Sequence, residues 1–315
     1  MSEENLTPQM IDDLDEPPKH DSTRVIKDLL AGTAGGVAQV LVGQPFDTTK
    51  VRLQTATTRT NALEVIKNLL KHEGALAFYK GTLTPLLGVG ACVSIQFGVN
   101  EAMKRFFHSI NRRNGSASSG DLANGDTLSL SQYYVCGVVG GIFTSFLAAP
   151  IEHVRIRLQT QTSSGPDAEF KGPIDCIRKL TAERGLMRGL TATLLREGHG
   201  IGSYFLVYEA LVANDVKHGV QRSEISPWRL CLYGGLAGTA LWLMVYPIDV
   251  IKSVIQTDNL KNPTRGRTIR EVARNLYLKD GLAAFSKGFG PTIIRAAPVN
   301  GATFATFELA MRLLG

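Results

Sequence analysis

Three long stretches of the chain carry no Asp, Glu, Lys or Arg: 82–99 (TLTPLLGVGACVSIQFGV), 133–151 (YYVCGVVGGIFTSFLAAPI) and 230–248 (LCLYGGLAGTALWLMVYPI). Each is long enough to cross a hydrocarbon core about 30 Å thick, which takes about 20 residues of helix. Charged stretches of a different pattern lie between them. NALEVIKNLLKH, PIDCIRKLTAE and TIREVARNLYLKD place apolar residues three to four apart, the period of short surface helices.

The elements recur in a fixed order, three times over. PFDTTKVRLQ from Pro45, PIEHVRIRLQ from Pro150 and PIDVIKSVIQ from Pro247 hold proline, acid, base and glutamine at one spacing. Thirteen and nine residues before each proline stand Gly32 and Gly36, Gly137 and Gly141, Gly234 and Gly238. Such a G-x-x-x-G lets membrane helices approach closely, so all three pairs are expected to pack tightly. After each short helix, Lys80-Gly81, Arg188-Gly189 and Lys287-Gly288 open a second apolar segment, and twenty residues beyond the glycines stand Glu101, Glu209 and Glu308. The expected fold is an all-α membrane protein of six transmembrane helices in three repeats, with three short helices and pseudo-three-fold symmetry. The repeats fall at 24–112, 130–220 and 225–315, behind a disordered acidic tail (1–22) and around a Ser/Gly/Asn-rich linker (113–129).

Composition adds orientation and exclusions. The average of 44% apolar residues over 315 would pass for a soluble protein, because charged and apolar stretches cancel. Most of the 34 Lys and Arg lie in 50–80, 155–188 and 252–287, so the positive-inside rule puts these three loops on one side and both termini on the other. Cys92, Cys136, Cys176 and Cys231 lie far apart with no C-x-x-C, which argues against a zinc site or a disulfide framework; no metal is expected. The first 21 residues are acidic, opposite to the Arg-rich pattern of a transit peptide, so no cleavable segment is expected. Bases dispersed through loops with no recognition module exclude nucleic acid. GHGIGSYF and GFGPT lie inside apolar helical stretches rather than after strands, which excludes phosphate loops and with them an enzyme reading.

The motif charges carry the chemistry. Proline bends a membrane helix and frees a carbonyl, which neighbours or a wet cavity can satisfy. Three such bends bring the helix ends together, and an acid of one copy can meet the base of the next: Asp47 with Arg155, Glu152 with Lys252, Asp249 with Lys50. Charges at membrane depth are costly unless paired or hydrated, so this ring is a functional candidate. Gln54, Gln159 and Gln256 follow about one turn later, placed to brace it.

These motifs, each behind its G-x-x-x-G and followed in two copies by EGALAFYKG and DGLAAFSKG, resemble those of the mitochondrial carrier family over residues 24–315, closest to fungal carriers of the carnitine, ornithine and amino-acid branch. The resemblance implies a monomeric six-helix bundle of the inner membrane around a central cavity, working by alternating access. It implies that the proline-adjacent pairs close the matrix side and a second ring the cytosolic side, and that cardiolipin is a structural lipid at the helix N-termini beside the basic-glycine steps. No other cofactor is implied. Two departures stand out. Gly185 and Gly189 are four apart where Gly74–Gly81 and Gly281–Gly288 are seven apart, so the second short helix must connect differently. In the cytosolic ring only Glu101 has its base in register, Lys104; Glu209 meets Val212 and Glu308 meets Met311, with Arg312 one position late, so this gate is expected to be weak.

A site that reads an asymmetric solute should break the symmetry. Seven residues after the anchor glycines stand Gly88, Arg196 and Arg295, and one further Val89, Glu197 and Ala296, about two turns into each second helix, where transporter sites lie. They match the family's contact points. Arg196 and Arg295 are candidates for a carboxylate, since the guanidinium fork stays charged when buried, and Glu197 for an ammonium. Gly88 marks the third contact point; His199 is a candidate proton carrier and Trp242 a candidate cavity wall. Two positive charges against one negative favour a solute with two carboxylates and one ammonium, so glutamate is expected, entering with a proton or in exchange. Carnitine, ornithine and glycine are the alternatives, and a non-transporting scaffold on the same fold is the rival of a different class.

Overall fold

The computed structural model describes residues 22–58, 60–113, 128–163 and 168–314. The acidic tail and nearly all of the linker lie outside them. Among the described residues there is no strand, and each copy contributes a long helix, a short one and a second long one. The first copy holds α1 (Ser22–Thr55), α2 (Ala62–His72) and α3 (Leu83–Arg113). The second holds α4 (Leu130–Thr160), α5 (Pro173–Ala182) and α6 (Leu190–Lys217), and the third α7 (Pro227–Thr257), α8 (Ile269–Asp280) and α9 (Phe289–Leu314). Among the described residues, three stretches are long and apolar enough to cross a membrane: Ala75–Arg113, Leu130–Thr160 and Trp228–Thr257.

The short helices start where their caps dictate. Asn61 accepts from the Glu64 amide while Glu64 reaches back to Asn61, and Thr268 and Glu271 repeat the arrangement at α8. Apolar faces then dock these helices on the ends of α4 and α7, through Leu158 with Cys176 and Leu180, and through Val254 with Val272. A 3₁₀ turn follows in the first and third copies, Ala75–Tyr79 and Gly281–Ser286, and there Lys80 lies 2.7 Å from Glu73 and Lys287 2.6 Å from Asp280. The shortened second copy makes the connection in a tight turn with Arg184 at φ 51°. Its Arg188 donates 2.7 Å to the Asn259 carbonyl of the third copy instead of to an acid of its own. A tie across the turn survives in altered chemistry: Thr48 donates 2.7 Å to the Phe78 carbonyl, and His153, at the matching position, places Nδ1 3.1 Å from the Leu186 carbonyl.

Pro45, Pro150 and Pro247 all lie inside their helices, which continue past them to the end of the motif. The close approach expected at all three glycine pairs is found at the second pair and is missing at Gly36 and Gly238. A Cβ on Gly137 would stand 2.8 Å from Gly202 Cα, and one on Gly141 would stand 2.6 Å from the Glu197 carbonyl carbon and oxygen. At Gly36 and Gly238 nothing lies within 4 Å. A small-residue pair draws helices together only where the facing helix is small at the same height, and Gly198 and Gly202 make α6 so. A buried apolar cluster lies on that flank, where Tyr133 of α4, Tyr204 and Tyr208 of α6 and Leu241 of α7 pack together.

Candidate substrate cavity

The motif acids and bases converge on the floor of a cavity that is open at its mouth. Arg155 Nη2 lies 2.6 Å from Asp47 Oδ2, Lys50 Nζ lies 2.9 Å from Asp249 Oδ2, and Lys252 bonds Glu152. Each pair joins consecutive copies. All six side chains are largely buried, a condition that charges tolerate only in partnership.

The expected glutamine braces divide. Gln54 donates 2.9 Å to Asp249 and so touches the ring. Gln159 instead reaches the Thr48 hydroxyl at 3.3 Å and Gln256 the Arg188 carbonyl at 3.4 Å, so both tie copies together without touching a charge pair. Two contributors went unread in the sequence. Gln44 accepts 2.7 Å from Arg155, and Tyr246 sets its ring 5.4 Å from Lys50 Nζ. Both directly precede a motif proline, and a polar residue there at the end of an apolar run was the available signal. Trp242 stands over the same lysine, with Nζ 4.2 Å from the ring centroid, and forms part of the cavity wall.

Arg196 and Arg295 do line the cavity, and both are engaged by the ring. Arg196 Nη2 donates 2.7 Å to Glu152 Oε1 and also bonds Glu197, while its Nε lies 3.8 Å from Asp249 Oδ1. Arg295 Nε lies 3.1 Å from Asp47 Oδ1. Two expected contacts are corrected. Gly88 is a packing glycine rather than a cavity surface, since a Cβ there would meet Ile151 Cδ1 at 2.5 Å. His199 lies on the exposed side of α6, apart from the cavity lining, with Nδ1 2.7 Å from the Tyr134 hydroxyl of α4.

Two of the acids at the opposite end of the bundle pair along their own helices. Glu101 lies 3.3 Å from Lys104 and Glu308 2.9 Å from Arg312, both along one helix. Glu209 is held through both oxygens, 3.0 and 3.1 Å from Arg222, a residue of the turn between α6 and α7. Val212 leaves α6 without a base there, and Arg222 supplies one from outside the repeat.

A profile of the family described as mitochondrial carrier protein matches residues 21–111, 126–217 and 223–315. Over 317 residues, and 100% of both chains, the sequence is 68% identical to the mitochondrial glycine transporter YMC1 of Saccharomyces cerevisiae. It is 47% identical over 291 residues to the glutamate/glycine mitochondrial carrier ymc1 of Schizosaccharomyces pombe, covering 90% of this chain and 92% of that one. Identity to the mitochondrial basic amino acids transporter of Homo sapiens is 37% over 292 residues, covering 90% and 89%.

Proposed function

Because this chain belongs to the mitochondrial carrier family, we propose that it carries a small α-amino acid, glycine ahead of glutamate, across the mitochondrial inner membrane. Members of the family are transporters, so the chain is a carrier and not an enzyme. One observation carries the substrate reading: each arginine that breaks the symmetry stands against a carboxylate, Arg295 at Asp47 and Arg196 at Glu152 and Glu197. A zwitterion enters such a pair without changing the charge of the site. Its carboxylate takes the guanidinium fork and its ammonium takes the acid. Glycine does this with no side chain to accommodate, and the 68% identity to a glycine transporter supports it.

Glutamate is the second substrate in this reading. Among the described residues the site holds five bases, Lys50, Arg155, Arg196, Lys252 and Arg295, against four acids, Asp47, Glu152, Asp249 and Glu197, so one further carboxylate is matched. Ornithine adds positive charge to a site already in base excess, and carnitine offers no ammonium hydrogen for an acid to accept. Glutamate entering an electrically negative matrix needs a compensating proton or an exchanged anion, and Glu197, inside the charge cluster, is the residue for that proton. A scaffold without transport would have no use for this set of paired charges.

All six long helices cross the membrane in this reading, with the short-helix loops in the matrix and both termini opposite. The motif ring closes the matrix end while the other end stands open. Cardiolipin phosphates fit the starts of α3, α6 and α9, because Gly81, Gly189 and Gly288 hold φ of 81°, 84° and 82° immediately before helices whose first amides lack helical partners. The test is uptake of labelled glycine by liposomes containing the pure protein. Unlabelled glutamate should compete, and ornithine and carnitine should not; preferential uptake of ornithine or carnitine would overturn the substrate reading.

A further inference from the structure

We infer that the Ser253 hydroxyl, on the floor of the cavity, binds the side-chain carboxylate of glutamate and so sets how far an acidic amino acid is accepted beside glycine. The inference rests on the reading that glutamate is the second substrate. Ser253 directly follows the motif base Lys252, and in the same register Val51 follows Lys50 and Ile156 follows Arg155. All three side chains line the cavity. Two of the three copies thus present branched hydrocarbon at this height, and the third presents a small polar group.

That hydroxyl is uncommitted. Gln54 spends its amide on Asp249 and Gln159 on Thr48, while Thr292 donates 3.0 Å to the Gly288 carbonyl. The Ser253 side chain, 2% exposed, makes no hydrogen bond to any described residue. A buried hydroxyl without a partner is costly, and a bound solute that supplies one offsets the cost. Ser253 also shares a face of α7 with Asp249, about one turn before it, and with Trp242, about three turns before it.

A glutamate held by its α-carboxylate and ammonium in an arginine–acid pair has a second carboxylate to place. The base excess of the cavity balances that charge, yet each of its five bases already stands against an acid. An unspent donor is what the second carboxylate needs, and the Ser253 O–H supplies it as a charge-assisted bond. The smallness of serine matters too. Valine or isoleucine, as in the other copies, would fill the space with methyl groups and offer an anion nothing. Glycine has no side chain to place there, so it does not call on the hydroxyl.

The experiment compares two solutes in one protein. Initial uptake of labelled glycine and of labelled glutamate is measured in liposomes containing the full-length chain, and read as the ratio of their kcat/KM values. Ser253→Ala removes a hydrogen bond to a charged group and should lower the glutamate-to-glycine ratio roughly tenfold or more. Ser253→Val, which copies the first repeat, should lower it further, and Ser253→Thr, which keeps the hydroxyl, should retain most of it. An unchanged ratio in Ser253→Ala overturns the inference. So does an equal fall in Ser253→Thr, or an equal loss of both solutes, which marks Ser253 as structural. If Ser253→Ala does not accumulate, Ser253→Cys, similar in size with only a weak donor, takes its place under the same criteria. Failure of the substrate reading shows already in the unchanged protein, as preference for ornithine or carnitine or as no uptake of glutamate, and overturns both; failure of this inference alone shows only in the variants.

Discussion

Gly141→Ala should impair transport far more than its single methyl group suggests. The new Cβ would stand 2.6 Å from the carbonyl carbon and oxygen of Glu197, and 2.8 Å from the Gly198 nitrogen, where ordinary contact begins at 3.4 Å. These are backbone atoms inside a helix and cannot turn aside. Helices α4 and α6 must therefore part by roughly 0.8 Å at this height, the difference between those two distances. Overpacking of this kind costs about 1–3 kcal/mol. The peptide pushed away carries Glu197, and its neighbour is Arg196, so the displacement passes directly into the candidate site. A misplacement of about 1 Å can lower the rate of a positioned reaction about 100-fold, and a comparable loss in glycine uptake is expected here. The assay is initial uptake into liposomes at equal protein content, with thermal unfolding in detergent beside it. Gly36→Ala and Gly238→Ala are the controls: nothing lies within 4 Å of either, and alanine in a helix gains about 0.5–1 kcal/mol over glycine. Wild-type transport in Gly141→Ala, or equal losses in all three variants, would refute the close-approach argument.

Three further outcomes are expected. Reversing Asp47→Lys should abolish uptake, and adding Arg155→Asp should restore only part of it, because Arg295 then faces a lysine; a double variant no better than either single one would refute the pairing. Arg222→Ala should lower stability by roughly 1–3 kcal/mol in thermal unfolding, as breaking a charged hydrogen bond to a buried acid does, and Glu209→Gln in the same chain should cancel most of the loss. Burial alone would raise the Glu73 carboxyl, but the hydrogen bonds and charges of Arg52 and Lys80 outweigh it and hold the group below its ordinary value of 4.5. Its contribution to stability is therefore complete above pH 4.5 and is lost as the pH falls through the lower folded value, so an unfolding midpoint measured against pH should flatten there in Glu73→Gln, and a profile parallel to the unchanged protein would exclude the clamp.

Whatever recurs was legible in the chain. Three prolines at one spacing from an acid, a base and a glutamine placed the long helices, the short ones and the ring, because a repeated unit must bury the same faces and pair the same charges in each copy. The cross-copy pairs of Asp47, Glu152 and Asp249 follow from that symmetry alone. What the repeat leaves free, only the tertiary structure decided. Gly36, Gly141 and Gly238 stand at one offset from their prolines, yet only Gly141 touches a neighbouring backbone, because contact depends on what the facing helix presents at that height. Gly88 reads as a contact point and is filled by Ile151; His199 reads as a cavity residue and emerges on the exposed side of α6. Arg196 and Arg295 read as candidates for a solute carboxylate, and in three dimensions each also stands against an acid of the ring. Spacing along one helix fixes the direction of a side chain to within a turn, but its partner lies on another helix, and that distance is set by packing across the whole bundle.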